Sequence, residues 1–410
     1  MLHYNYLIIG GGIAGVTAAE TIRAHDSRGS IAIVSDEPHM LYSRVLLPSY
    51  IKKRISREKV FLRSIGDFEA KNIVVMSGER VVKIDSVRKE VFLASGRTVF
   101  FEKFCIASGG SVEPWSVAGA EKKGIFRLQT IDDADAILAA LPEMREAIVV
   151  GGGFIALEFL DFFFIHQIST TLLCRNKNFF GTALDGDGIE LIHANFEKHK
   201  INFMFGDEAK AILGNTVVEG IATKQDVKVS GDVIGLGIGL LRHMEFLEGS
   251  GIEKGEYGIK TNEELETNVS GIFAAGDVAE FYDTIVGKHH VHGNWTNAFL
   301  QGEIAGLNMV GQKKAFRKVP SYSLVNLGLH ITFLGETHPS EAEETISRTD
   351  PVLHKYERFF IKEDRLIGAI LINMFQDKPL IAKLVEERVS IAPFKEKLSK
   401  IDFDLHSVVV

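Results

Sequence analysis

Two glycine-rich segments constrain this chain more than any other feature, because each follows an apolar run typical of a β-strand. The first runs from Tyr6 to Gly15 (YLIIGGGIAG), and the second runs from Ala147 to Ala156 (AIVVGGGFIA). In such a segment the first glycine permits a tight turn from strand to helix, the second lets the backbone approach a pyrophosphate, and the third lets the helix pack on the strand. Two such segments predict two bound dinucleotides that exchange electrons.

The residues after the first segment support its assignment. A helical stretch from Val16 to Ala24 precedes a strand-like run from Ser30 to Val34, and two acids come directly after that run. An acid about 20 residues beyond the glycines is placed to bind the hydroxyl pair of a ribose. The first cofactor site is therefore assigned Gly10, Gly12, Ile13, Ala14, Gly15, Asp36 and Glu37.

The second segment departs from the pattern at the end of its next strand, Thr170–Cys174. No acid stands there, and Arg175 and Lys177 follow instead. An acid at this point selects NADH, whereas an arginine can pair with the 2′-phosphate of NADPH. We favour NADPH over NADH, and the alternative is that both cations are solvated turn residues. The second site is assigned Gly151, Gly153, Phe154, Ile155, Arg175 and Lys177, with Ala156 in place of the third glycine.

Two further motifs accompany the glycine segments, namely Ile106–Gly110 (IASGG) and Thr267–Asp277 (TNVSGIFAAGD). With these motifs in this order, the chain resembles, over essentially its whole length, the FAD- and NAD(P)H-dependent pyridine nucleotide-disulfide oxidoreductases akin to glutathione reductase. The resemblance implies that Asp277 binds the ribityl chain of FAD. It also implies cofactor contacts at Val81, Ser108, Gly109, Gly239 and Gly276.

Within that family the chain resembles the branch without a redox disulfide, which includes rubredoxin and ferredoxin reductases and the flavin portion of assimilatory nitrite reductases. The similarity lies in Asp36–Pro48 and in the stretch that begins with Trp295 and Thr296. It implies that Arg44 lies along the FAD diphosphate and that the tryptophan stretch approaches the flavin. Many relatives have a flavin-contacting lysine where this chain has Ser49, so that contact is not expected here.

Glu158 is the candidate catalytic residue. It resembles the family glutamate that lies near the nicotinamide, where it would position the ring rather than transfer a proton. The chemistry itself belongs to the cofactors, because the nicotinamide has only to stack on the flavin with its C4 near flavin N5. The alternative role for Glu158 is that of an acid near a helix N-terminus, where the helix dipole favours it.

The cysteine content excludes a thiol relay. Cys105 lies in an apolar strand-like run and Cys174 ends a strand, and neither belongs to a C-x-x-C or C-x4-C motif. We expect both to be structural residues. Because no cysteine follows Tyr42 in the flavin loop, electrons are expected to pass directly from the flavin to an external acceptor.

Alternating strands and helices predict an α/β fold with two Rossmann-like domains, the NAD(P)H domain being inserted into the FAD domain, followed by a C-terminal α+β domain. The expected divisions are 1–110 and 235–312 for FAD, 111–234 for NAD(P)H and 313–410 for the last domain. In that domain Ile331–Leu334, Glu357–Ile361 and Ala369–Ile372 resemble strands, and Pro379–Lys400 has the pattern of an amphipathic helix.

Composition and residue spacing argue against several other classes of protein. A net charge of −8 argues against general nucleic-acid binding. The most apolar predicted helix, Phe154–Ile168, is too short and too acidic to insert into a membrane. No signal peptide precedes the first strand, and two cysteines give no disulfide framework, so we expect a cytoplasmic protein. We assign no metal site, because His289, His290 and His292 lack further ligands at recognisable spacing.

Three functions compete for the electron-accepting half of the reaction. The first is reduction of a small acidic redox protein, rubredoxin or ferredoxin, or of a nitrite-reductase-type partner. The second is an NAD(P)H oxidase or a quinone or dye reductase, and the third is a redox-sensing flavoprotein with slow turnover. Two basic runs, at 52–59 and 313–318, could steer an acidic partner, although they could equally be solvated surface. A homodimer is kept open as the assembly.

Overall fold

The computed structural model describes residues 2–408, and the chain divides into two compact units. The first unit comprises the residues up to Leu46, Ser56–Ser111 and Leu240–Lys318. The second comprises Leu47–Ile55, Val112–Gly239 and the residues from Val319 onward. Each unit is therefore assembled from pieces that are distant in sequence.

The elements follow one another in chain order. Up to residue 112 they are β1 (Leu2–Ile9), α1 (Ile13–His25), β2 (Ile31–Ser35), α2 (Leu47–Ile51), α3 (Ile65–Glu69), β3 (Ile73–Ser77), β4 (Val81–Asp85), β5 (Glu90–Leu93), β6 (Thr98–Ile106) and β7 (Ser111–Val112). From there to residue 239 they are β8 (Ile125–Phe126), α4 (Ile131–Ala140), β9 (Glu146–Gly151), α5 (Phe154–Ile165), β10 (Ser169–Cys174), α6 (Gly186–Lys198), β11 (Asn202–Phe205), β12 (Ala209–Leu213), β13 (Gly220–Thr223), β14 (Lys228–Ser230) and β15 (Val233–Gly237).

The remaining elements complete both units. They are β16 (Leu240–Leu241), β17 (Ile259–Thr261), β18 (Ile272–Ala274), β19 (Ala279–Asp283), β20 (Lys288–His290), α7 (Trp295–Met309), β21 (Ser321–Asn326), β22 (Leu329–Gly335), β23 (Glu344–Asp350), β24 (Lys355–Lys362), β25 (Arg365–Ile372) and α8 (Lys378–Glu386). Short 3-10 turns lie at Arg44–Leu46, Arg57–Val60, Leu141–Glu143, Glu245–Leu247, Gly276–Val278, Pro339–Glu341, Phe375–Asp377, Lys395–Lys397 and Leu405–Val408.

The main sheet of the first unit has the order β3-β2-β1-β6-β5-β4, with β18 also paired to β6. Strands β1, β2, β3, β6 and β18 are parallel, and β4 and β5 are antiparallel. Helices α1 and α7 cover one face, where their small residues allow close packing: a Cβ at Gly302 would lie 2.3 Å from the carbonyl oxygen of Ala14. The carboxyl end of β1 therefore meets the start of α1.

The second unit contains a parallel sheet, β11-β10-β9-β15-β8, and two antiparallel sheets, β12-β13-β14 and β21-β22-β25-β24-β23. Helix α5 packs on β9, β10 and β15, and α8 packs on β22 and β25. The mixed α/β fold with Rossmann-like sheets and a C-terminal sheet domain is confirmed. Within residues 2–408, no helix has the length and apolar character needed to cross a membrane.

The predicted helix Pro379–Lys400 is wrong beyond Glu386. Helix α8 ends there, and the chain turns back to pair with the C-terminal sheet through the Ile391 N–H, which donates to Asp364 O at 2.8 Å. Further on, the buried Arg348 guanidinium donates to the carbonyl oxygens of Lys400 (3.1 Å) and Phe403 (2.8 Å). These tertiary bonds replace the backbone pairing that a continuous helix would make.

Candidate functional site

The turn between β1 and α1 has the geometry that its glycines predict. Gly10 has φ +106°, and a Cβ there would lie 2.1 Å from the carbonyl oxygen of Ala107. A Cβ at Gly15 would lie 2.1 Å from the carbonyl oxygen of Gly10, so only glycine lets α1 approach the strand this closely. The first helix therefore starts directly beside the end of β1.

The N-terminus of α1 is open. Gly12 is the N-cap residue and supplies no side-chain cap, and apart from its chain neighbours no atom of residues 2–408 lies within 4 Å of where its Cβ would be. Ile13 and Ala14 form the first turn, whose backbone N–H groups have no intrahelical partners. Such a helix end attracts an anion through its N–H groups and its dipole, which fits a pyrophosphate.

The turn after β6 offers a second sign of a bound group. Ser108 Oγ is buried, yet it has no hydrogen-bond partner within residues 2–408. Gly109 follows it with φ +63°. A buried hydroxyl without a protein partner leaves a hydrogen bond for a bound group or a water molecule to complete. Val81, by contrast, has its side chain in the apolar core, so only its backbone is left for a cofactor contact.

The two acids after β2 have different surroundings. Asp36 is exposed and pairs with Arg80 at 3.1 Å. Glu37 is partly buried, accepts a hydrogen bond from Tyr42 Oη at 2.5 Å, and forms an ion pair with Arg44. The Glu37 carboxylate is therefore fixed by two side chains, and the Arg44 guanidinium is already paired with it.

The Asp277 motif forms a short turn at the end of β18. Gly276 has φ +78°, and its N–H donates to Gln301 Oε1 at 2.7 Å. Burial raises the pKa of Asp277, and the positive charges of Arg242 and Arg44 oppose that rise. The carboxyl thus lies among cations in a partly desolvated turn, as a group that binds a polar ligand chain would.

Arg242 is a residue that the sequence did not identify. Its Nε donates to the carbonyl oxygen of Asp277, 35 residues away in the chain. The side chain is half-buried, and burial lowers its pKa. No local pattern distinguishes Arg242 from an ordinary turn arginine, because its partner is set by tertiary structure.

Helix α7 starts at the tryptophan motif. Asn294 is its N-cap, accepting from the Asn297 N–H at 2.8 Å. Trp295 is partly buried against the core beneath α1 and α7, whereas Thr296 is exposed. The first unit therefore places the helix start of this motif, the Asp277 turn and the first glycine loop on one scaffold.

The second glycine loop repeats the geometry of the first. Gly151 has φ +138°, and a Cβ there would lie 2.2 Å from the carbonyl oxygen of Gly237. Gly153 is the N-cap of α5, with no side-chain cap, and no non-neighbouring atom of the described residues lies within 4 Å of its Cβ position. Ala156 is accepted in the third position because it faces Gly237, which has no side chain. This helix end also fits a pyrophosphate.

The residues around this loop differ in their exposure and in the side-chain contacts that they make. Arg175 and Lys177 are exposed after β10, and neither forms a salt bridge or hydrogen bond with the described part of the chain. Ile155 is partly exposed, and Gly239 lies in an exposed turn after β15. Phe154 is held by a ring cluster, with its centroid 4.3 Å from that of Tyr322.

Glu158 is not an exposed helix acid. It lies on α5 with its side chain 12% exposed, and Lys52 Nζ donates to its Oε2 at 3.1 Å. The same ammonium pairs with Asp161 Oδ2 at 2.5 Å. Burial is the main cause of a raised Glu158 pKa, which Lys52 opposes and Asp161 reinforces. Placing Lys52 in a surface basic run was wrong, because the lysine is buried against these carboxylates.

Two open helix ends that follow glycine loops, a partnerless buried hydroxyl and the Asp277 turn define a protein of the class that binds two dinucleotides, one of them a flavin. The family model for pyridine nucleotide-disulphide oxidoreductases matches residues 4–302, and the model for the rubredoxin NAD+ reductase C-terminal domain matches residues 320–389. The chain belongs to the pyridine nucleotide-disulphide oxidoreductase family. It is an oxidoreductase that binds FAD and NADH or NADPH.

Curated relatives cover nearly all of the chain. It is 25% identical to the NADH-dependent phenylglyoxylate dehydrogenase subunit epsilon of Aromatoleum evansii, over 96% of this chain and 94% of that one. It is 27% identical to the NADH-rubredoxin oxidoreductase of Clostridium acetobutylicum, over 98% of both. It is 26% identical to the assimilatory nitrate reductase electron transfer subunit of Bacillus subtilis, over 94% of this chain but only 50% of that protein.

Solved structures share the fold. A ferredoxin reductase from Rhodopseudomonas palustris superposes with a TM-score of 0.91 at 22% identity, covering 99% of this chain and 100% of that one. At that identity the likeness supports the arrangement of strands and helices, not a particular substrate.

Proposed function

We propose that this protein passes a hydride from NAD(P)H to FAD and then delivers electrons to a small redox protein, such as rubredoxin or ferredoxin. The observation that supports delivery of electrons to an external acceptor is that the two thiols of the chain are buried. Cys105 and Cys174 are both buried, and burial raises the pKa of the Cys105 thiol to about 12. Thiols held protonated are poor nucleophiles, so an acceptor outside the chain must take the electrons.

The residues have distinct parts in this proposal. Bound FAD supplies the redox chemistry, accepting a hydride and releasing electrons singly or in pairs. The helix ends at Gly12 and Gly153 hold the two pyrophosphates, Asp277 holds the ribityl chain, and Glu158 positions the nicotinamide. The ribose acid of the first site is Glu37 rather than Asp36, because Glu37 is the partly buried and fixed carboxylate.

A small redox protein is favoured over other acceptors by two observations. The C-terminal domain matches the rubredoxin NAD+ reductase model, and a relative of almost equal length is an NADH-rubredoxin oxidoreductase. Exposed cations also remain after Lys52 is removed from the basic runs, including Lys53, Arg54, Lys313 and Lys314. They can attract an acidic partner to this otherwise acidic protein.

Turnover with different acceptors tests the proposal. The FAD-loaded protein is given NAD(P)H with air, with a quinone, or with added rubredoxin or ferredoxin. Turnover that depends on the iron protein supports the proposal. Rapid turnover with air or quinone alone would assign an oxidase or quinone reductase, and a long-lived charge-transfer complex with little turnover would assign a redox sensor.

A cytoplasmic location is part of the same proposal. Both cysteines are free thiols in the structure, as expected for a protein in a reducing compartment. Fractionation of native cells with an antibody against the chain tests it, and recovery outside the cytoplasmic fraction would contradict it.

A further inference from the structure

Two carboxylates share one face of an otherwise apolar helix. Glu158 and Asp161 are three residues apart on α5, which puts their side chains on the same side. Lys52 reaches them from just beyond α2, with its side chain 3% exposed. Its Nζ lies 3.1 Å from Glu158 Oε2 and 2.5 Å from Asp161 Oδ2.

Two groups from the hairpin of β21 and β22 complete the surroundings. Asn326 Oδ1 accepts from Lys52 Nζ at 3.1 Å, and the Leu327 N–H donates to Asp161 Oδ1 at 2.7 Å. We refer to Lys52, Glu158, Asp161 and Asn326 as the Lys52 cluster. All four residues belong to the second compact unit.

The Lys52 cluster does not balance its charge when fully ionised. One ammonium facing two carboxylates leaves one net negative charge in a largely dry place. Two carboxylates that share a buried site cannot both ionise easily, because each negative charge disfavours the other. The phenol of Tyr322 on β21 also faces Glu158, and this side chain is partly buried and uncharged.

The geometry decides which carboxyl holds the proton. Asp161 has the shorter contact to Lys52 and also accepts a backbone N–H, so both of its oxygens are satisfied as a carboxylate. Glu158 has the longer contact to the ammonium. The negative form is therefore better stabilised at Asp161 than at Glu158.

We propose that the Asp161 carboxylate neutralises the Lys52 ammonium and thereby keeps Glu158 protonated at neutral pH. Asp161 is then a positioning residue for the nicotinamide site. This inference rests on the proposed function in one respect, namely that Glu158 lies at the nicotinamide. A neutral carboxyl can donate a hydrogen bond to a carbonyl oxygen, whereas a carboxylate can only accept. Glu158 would then orient a carboxamide through its oxygen as well as its nitrogen.

The raised pKa of Glu158 agrees with this assignment, since burial and Asp161 both favour the neutral form and only cationic or polar neighbours oppose it. Replacing Asp161 with Asn removes the competing charge. Lys52 then has Glu158 as its sole anionic partner in the Lys52 cluster, and Glu158 is expected to ionise.

Infrared spectroscopy of the FAD-loaded protein at pH 7 tests the proposal. Wild type is expected to show a protonated-carboxyl C=O band that disappears in Glu158→Gln, which assigns it. The same band should be lost in Asp161→Asn and kept in Asp187→Asn, which changes an exposed aspartate on α6. Absence of the band in wild type, or its persistence in Asp161→Asn, overturns the proposal.

A second variant covers a failure to fold. Asp161→Ser is uncharged and smaller than aspartate, so it also removes the competing charge and should abolish the band. Binding gives an independent readout, because Asp161→Asn should weaken NAD(P)H binding by about tenfold at pH 7. The infrared measurement does not require turnover. A protein that shows the band but does not oxidise NAD(P)H would therefore contradict the proposed function and leave the protonation of Glu158 supported.

Discussion

Two exposed cations at the end of β10 bear on which nicotinamide is used. Arg175 and Lys177 make no salt bridge within residues 2–408, so both are available to a 2′-phosphate. A charge-assisted contact contributes about 1.5–3 kcal/mol, or about one to two powers of ten in affinity. We expect a preference for NADPH in kcat/KM that collapses in Arg175→Ala and survives in Lys198→Ala, an exposed lysine on α6. A wild-type preference for NADH that Arg175→Ala leaves unchanged would contradict this.

The two thiols are expected to be dispensable for hydride transfer. Cys105 is fully buried in β6, and Cys174 lies under the second glycine loop, where a Cβ at Gly152 would come within 2.5 Å of its Sγ. The double variant Cys105→Ala, Cys174→Ala should therefore reduce its flavin with NAD(P)H within about twofold of the wild-type rate. Stopped-flow absorbance of the flavin measures this. Loss of reduction in a folded, FAD-loaded double variant would show that a thiol takes part.

Individual residues also differ in how well the sequence predicts their roles. Residues whose roles depend on neighbours in the chain, such as Gly10 and Gly151, could be identified because strand, turn and helix are all local. Lys52 and Arg242 could not, because their partners lie 106 and 35 residues away. A run of cations in the sequence carries no information on which member is buried.

At the scale of a helix and its loop, the open N-terminus of α5 makes a sharp prediction. A methyl group at Gly153 meets no non-neighbouring atom of the described chain within 4 Å, so Gly153→Ala should fold normally. It would nevertheless occupy space beside the N–H groups that a pyrophosphate approaches. We expect the Kd for NAD(P)H, measured by calorimetry, to rise by about tenfold, equivalent to about 1.4 kcal/mol.

Two other glycines separate this effect from instability. Gly151→Ala would place a Cβ 2.2 Å from Gly237 O at φ +138°, so its melting temperature should fall. Gly186→Ala, at the start of α6, also meets no atom within 4 Å outside its own helix among residues 2–408, and it should change neither property. An unchanged NAD(P)H affinity in Gly153→Ala would remove this loop from the binding site.

Elements were predictable where a residue pattern alone fixes them. Three of the five strands of the C-terminal sheet, β22, β24 and β25, were predicted because apolar and aromatic runs favour strands whatever they pair with, whereas β21 and β23 were not predicted. The stretch after Glu386 keeps a helical pattern of apolar residues, yet it is bent by bonds to Asp364 and Arg348. Amphipathic periodicity does not report such tertiary competitors for the backbone.

At the scale of the whole molecule, the effect of surface charge on the rate distinguishes a redox-protein acceptor from a small-molecule acceptor. The chain has a net charge of −8, but Lys313 and Lys314 are exposed next to each other. Lys313→Glu with Lys314→Glu should slow electron transfer to an acidic rubredoxin or ferredoxin by about tenfold at low salt and flatten its salt dependence. Reduction of an uncharged quinone by the same variant, followed by absorbance, should not change, since an uncharged acceptor is not steered by surface charge.

The matched control carries the same change in net charge elsewhere. Lys198→Glu with Lys228→Glu alters two exposed lysines of the second unit. If this control slows the iron protein as much as the first pair does, only overall charge matters and no basic docking surface is needed.

The division into two units limits where this chain can be cut for recombination with a relative. Leu47–Ile55 belongs to the second unit, although its neighbours in sequence belong to the first. A nucleotide-binding module excised between residues 112 and 239 would lose Lys52 and leave Glu158 and Asp161 without their ammonium. Losing one partner of a buried ion pair costs about 3–5 kcal/mol. A chimera that replaces Leu47–Ile55 or α5 of this chain with the segment of another parent should therefore replace both together.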